Sequence, residues 1–215
     1  MNSKILNITN GEYFNRYFQS KFGGVAVPFC EAMMDGDTLS DIYSEAFIRL
    51  RARELNVDCE TYRSKMQAHD ALQDGAYSTL CLWFGKDTFC QLNLLTLLAY
   101  LEQIGYKGKV ELQYINDETF EIVEQNVEIK LGAYKWIYDT VLIRKQMPSE
   151  VGVLDAKAIG LYFDYLSADG LLARLVIENA DMDKMALVRL LMENSKAYGL
   201  SDLQAEKLID VYRRG

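Results

Sequence analysis

The 215-residue chain carries 31 acidic against 23 basic side chains, a formal net charge of -8. That balance repels a phosphate backbone and excludes nucleic-acid binding unless a local basic patch overrides it. Half the residues are hydrophobic and a quarter charged, which excludes a disordered or fibrous chain and suffices for one large domain or a medium domain with a helical appendage.

The opening MNSKILNITNGEYF has no continuous apolar run of the signal-peptide type, and no apolar stretch is long enough to span a bilayer. Cys30, Cys59, Cys81 and Cys90 form no CxxC pair. The expectation is a cytoplasmic protein with reduced, structural thiols and no membrane partner.

Residues 4–9 (KILNIT) form a short β-type run closed by the turn signal Asn10-Gly11. Tyr13, Phe14, Tyr17 and Phe18 then recur at helical spacing, and Gly23-Gly24 ends that helix. Residues 25–29 (VAVPF) read as a second strand, with Pro28 marking its end or a sheet edge. A polar loop over 30–38 leads to helices over 39–56 and 61–72. The first of these carries the one basic cluster, Arg49, Arg51 and Arg53, interleaved with Glu45 and Glu54, which reads as a solvated helix face.

Residues 78–83 are continuously apolar, as a strand buried on both faces would be. Asp87 is placed to cap a helix running to about 104, apolar on nearly every side. Residues 109–115 form a fourth strand, Asn116-Asp117 cap a short helix through 123, and 127–131 make an edge strand. Strands alternating with helices predict a mostly parallel sheet with helices on both faces, a Rossmann-like three-layer α/β fold. After Gly132 the patterning is helical only, over 134–145, 154–166, 171–179, 183–197 and 201–213. Two domains are expected, α/β over 1–147 and all-α over 148–215, joined at Pro148-Ser149-Glu150. Tyr134, Trp136, Tyr138, Tyr162, Phe163 and Tyr165 suit a domain or subunit interface, so a homo-oligomer is open. The last two helices have the outline of a helix-turn-helix, but Asp202, Glu206 and Asp210 make a poor surface for a DNA groove.

In open α/β sheets, ligands sit outside the carboxyl ends of the strands. Four polar turns fall there: Asn10-Gly11-Glu12, Asp35-Gly36-Asp37, Gly85-Lys86-Asp87 with Gln91, and Asn116-Asp117. The expected ligand-binding set is Asn10, Gly11, Asp35, Asp37, Gly85, Lys86, Asp87, Gln91 and Asn116. A nucleotide phosphate fits poorly, because Glu12 and Asp87 put negative charge where it would sit and no glycine-rich phosphate motif is present. Hard cations suit the carboxylates better, although an Asp-Gly-Asp pair more often makes a turn. Gln91, inside an apolar helix, needs hydrogen-bond partners, either in the preceding turn or in a ligand. His69 reads as a helix-face residue, and no nucleophile elbow is present. No catalytic set and no cofactor emerge. The reading is a binding or regulatory protein for a small molecule or protein partner, with a carboxylate-based, possibly metal-assisted enzyme as the alternative and a transcription regulator as a further one.

Three segments resemble a known family. ITNG after the first strand, MMDGD after the second and LWFGKDTFCQLNLLTLL are similar to the bacterial domain-of-unknown-function family 1835, and YGLSDLQAEKLI resembles the helical domain that often follows it. The resemblance covers most of the chain, with W-F-G-x-D-x-x-x-Q as its most specific motif. It implies no established activity; some members carry a transcription-regulator label. Family members commonly have Gly-Asp-Ser where this chain has Gly11-Glu12-Tyr13, and Glu-Gly-Pro where it has Asp35-Gly36-Asp37.

Overall fold

The computed structural model describes residues 4–74 and 77–213. Five strands form one sheet: β1 (Ile5–Asn10), β2 (Ala26–Phe29), β3 (Thr79–Phe84), β4 (Lys109–Ile115) and β5 (Ile122–Glu128). Their order is β2-β1-β3-β4-β5, parallel except for the antiparallel β5 at one edge. The order reverses between β1 and β3, so the carboxyl ends of these two strands frame the crevice of the switch point.

Side-chain alternation sorts the sheet into two faces. Ile8, Leu82 and Leu112 lie in register across three strands and are wholly buried. They pack under α5 (Thr88–Gln103), in which Leu92, Leu94, Leu95, Leu97, Leu98 and Leu101 are fully enclosed. Each such leucine contributes about 1.5–3 kcal/mol by leaving water. On the other face Trp83 meets Phe14 and Phe18 of α1 (Gly11–Lys21). Cys81 and Trp83 are only half-buried there. The third strand is therefore deeply buried on one face, not on both, because α1, with Phe22 just after it and Phe120 packed on Phe14, gives the second face only partial cover.

Several expected elements shift. Residues 39–56 do not form one helix: α2 (Glu45–Glu54) begins after the Ser44 cap, and Tyr43 just before it has φ +63°, a left-handed value that cannot continue a helix backwards. The helix expected over 61–72 is two, α3 (Cys59–Ser64) and α4 (Gln67–Gln73). Residues 116–121 are not a helix but the turn of a β4–β5 hairpin, which also moves the fifth strand forward from 127–131. Asn116 Oδ1 accepts the backbone N–H groups of Glu118 and Thr119, the local bonding by which Asn closes a turn. After α6 (Tyr134–Tyr138) the chain passes through a π-helical turn at Asp139–Ile143.

The remaining helices are α7 (Ala156–Leu166), α8 (Leu171–Glu178), α9 (Lys184–Asn194) and α10 (Asp202–Tyr212). Ser201 caps α10 in a reciprocal box with Gln204. One hydrophobic cluster runs from Leu6 and Leu82 through Tyr138 and Tyr162 to Ile209, so the aromatic side chains of the carboxyl-terminal half join the helices to the sheet. Trp136 is the exception and stays on the surface. Among the described residues no helix is long and apolar enough to cross a membrane.

Candidate functional site

The head of α5 is closed by the protein itself. Asp87 Oδ1 accepts the N–H of Cys90 at 2.7 Å, the N-cap bond. The N–H groups of Thr88 and Phe89 donate to the carbonyls of Ala197 and Tyr198, each at 3.0 Å, and Gln91 N–H donates to Asp87 O. Thr88 Oγ1 adds a bond to Ala158 O. Every donor that a bound phosphate would use is taken: two of the four N–H bonds of the α5 head run to the turn between α9 and α10, and two to the cap residue Asp87.

Gln91 has no exposed surface. Its Nε2 donates to Gly85 O at 2.6 Å and its Oε1 accepts Asp155 N–H at 2.8 Å. It ties the β3–α5 turn to the cap of α7, so both ends of its carboxamide serve the architecture. Gly85 is required by close approach and not by a left-handed backbone: a Cβ there would lie 1.8 Å from Asp117 Oδ1. Gly199, in the turn before α10, has φ +68° and brings its backbone close to the Asp87 carboxyl, where a Cβ would lie 2.5 Å from Oδ1.

These two glycines admit a polar cluster. Cys90 Sγ lies 3.2 Å from Asp117 Oδ1 and receives Asn10 Nδ2 at 2.7 Å. The thiol and the carboxylates of Asp87 and Asp117 place donor atoms within 4.8 Å of one another, close enough to share one cation. Burial, then the neighbouring Asp117, pushes Asp87 up to about 7. Burial also raises Asp117, against the pull of hydrogen bonds from Cys90 and Asp87. Two adjacent carboxyls that cannot both ionise freely hold one proton between them near neutral pH. The Cys90 thiol is raised by burial and by both carboxylates, so it stays protonated and is a poor nucleophile.

Two open clefts of about 280 and 340 Å³ flank the pair. The first is walled by Lys86, Asp155, Lys157 and Lys196, the second by Glu118, Met192, Lys196 and Gly199. Lys86 pairs with Glu124 and lies over the Tyr114 ring, and Lys196 pairs with Glu118. Lys157 has no ion-pair partner among the described residues.

Of the expected set, Asn10, Gly85, Lys86, Asp87 and Gln91 gather here. Gly11, with φ +83°, starts α1 and offers no side chain. Asp35 and Asp37 do not join the cluster: their carbonyls accept Arg51, and the Asp35 carboxylate faces Tyr165 and Lys207. Asn116 closes the hairpin turn. Cys90, Asn93 and Asp117 were not in the expected set. Asp117 had a signal, as half of the Asn116-Asp117 turn; Asn93 had a fainter one, a second buried amide two residues after Gln91 in an apolar helix.

The basic cluster is not a solvated face either. Arg49 and Arg53 are exposed, but Arg51 is wholly buried and donates to the carbonyls of Ala32, Asp35 and Asp37. His69 is half-buried against Tyr43 and Tyr100. Comparison of the chain with protein-family models, curated proteins and solved structures yields no match.

Proposed function

We propose that this chain is a cytoplasmic binding module whose crevice, at the carboxyl ends of β1, β3 and β4, takes a small polar molecule bearing an amine and an acidic group. The amine would sit on the Asp87–Asp117 pair and the acidic end on Lys157. The observation that carries this reading is the placing of that pair beside a cleft of about 280 Å³ in which Lys157 has no ion-pair partner among the described residues. Membership of the domain-of-unknown-function family 1835 belongs to the same proposal.

A thermal-shift panel of small zwitterions, simple amines and simple carboxylic acids tests it. A zwitterion held at both ends stabilises the folded state by mass action, by about 2.7 kcal/mol at a hundredfold excess over Kd. Lys157→Ala and Asp117→Asn remove the shift. A panel with no response sinks the reading. A carboxylate-based, metal-assisted enzyme is the second reading, favoured by the three donor atoms within 4.8 Å. It excludes Asp35 and Asp37 from the chemistry and is tested by the same assay with zinc, manganese and magnesium ions, a null result removing it.

A further inference from the structure

We infer that Asn93 is a positioning residue for the crevice: through Asn10 it dictates that Cys90 turns its S–H towards Asp117. This rests on the crevice reading for its functional meaning, but the geometry stands on its own.

Asn93 has no exposed surface and meets two backbone groups whose roles cannot be exchanged. Its Oδ1 accepts Met33 N–H at 3.2 Å, and its Nδ2 donates to Glu31 O at 2.7 Å. A backbone N–H only donates and a carbonyl only accepts, so the orientation of the carboxamide is settled. The second hydrogen of Nδ2 then goes to Asn10 Oδ1, 3.0 Å away. With its oxygen engaged, Asn10 must aim Nδ2 at Cys90 Sγ. The sulfur is the acceptor in that contact, and its single proton points to the other neighbour, Asp117 Oδ1.

The consequence is directional. The loop after β2 is read by Asn93, Asn93 orients Asn10, Asn10 orients the thiol, and the thiol holds Asp117 as an acceptor. A carboxylate held so meets a donor on the ligand, an ammonium or a hydroxyl, in preference to another carboxylate. Asn93 lines neither of the two clefts and acts on the crevice through this relay.

The S–H stretching band of Cys90, isolated as the infrared difference between wild type and Cys90→Ala, reports the relay directly. In the wild type it sits at the low frequency of a thiol donating to a carboxylate. Asp117→Ala, a change on the exposed hairpin, raises it to the position of an unbonded thiol. Asn93→Asp frees Asn10 to present its oxygen to the sulfur, so the band leaves the carboxylate-bonded position as well. Asn93→Ser, uncharged and too short to reach Asn10, gives the same shift if the aspartate variant does not fold. A band unmoved by Asp117→Ala, or by a folded Asn93 variant, overturns the inference. No ligand enters the measurement, so its failure leaves the crevice reading standing, and an unresponsive ligand panel leaves the relay standing.

Discussion

Two polar clusters lie at the carboxyl edge of the sheet, and they are built on opposite terms. At the head of α5, Asp87 and Asp117 lie against two open clefts. After β2, Glu31 and Arg51 are sealed in the core, with side chains 3 % and 0 % exposed and their nearest atoms 3.9 Å apart. Burial raises the Glu31 carboxyl, while Arg51 and the Tyr62 hydroxyl draw it back. The cavity beside Glu31 holds only about 10 Å³, room for roughly one water. Charge at a strand end is thus no sign of a site by itself. The Arg51 guanidinium spends its hydrogen bonds on the loop, whereas the Asp87–Asp117 pair keeps an open side.

The sharpest break in that contrast comes from Arg51→Met. It strips three carbonyls of their donor and strands Glu31 in the core, so the loss is about 3–5 kcal/mol in urea unfolding. A loss under about 1 kcal/mol would mean that the loop is held by other contacts. Gln91→Leu comes next. It leaves the buried Gly85 carbonyl and the Asp155 N–H without partners and costs about 2–4 kcal/mol at the usual penalty for each stranded group.

Gly85→Ala forces the Asp117 carboxylate away and costs about 1–3 kcal/mol. Combined with Asp117→Ala it costs less than alone, a coupling that a double-mutant cycle measures. An unchanged cost would place the strain elsewhere than on Asp117.

A further break is in pH dependence. Asp87 stands at about 7 in the fold against an ordinary 3.8. The folded protein therefore keeps a proton that the unfolded chain has released, and this contribution is full at acid pH and is lost as pH rises through about 7. Asp117→Asn removes the neighbouring charge, lowers Asp87 and flattens that decline, read from urea midpoints across the neutral range.

Much of the local structure was legible in the residues. Asp87 as the cap of α5, Ser201 as the cap of α10, and the glycine closing α5 before β4 all act within a few positions of themselves. The apolar run of α5 announced a central helix because no surface position could carry it. The turn at 116–121 misled because Asn116 signals a helix cap and a hairpin turn with the same side-chain bond.

What the sequence by itself determined was the succession of strands and helices, hence a mostly parallel sheet with helices packed on it and a helical carboxyl-terminal part. Periodicity and capping are short-range physics, and they survive without knowledge of neighbours. Only the tertiary structure decided the rest: that Arg51 is buried, that the α5 head is closed by a turn more than a hundred positions away (109 from Thr88 to Ala197), and that Asp117 reaches across Gly85 to Cys90. Those contacts join residues whose partners are chosen by strand order and by the packing of distant helices, and no local pattern encodes which polar turn will be sealed and which will face a cleft.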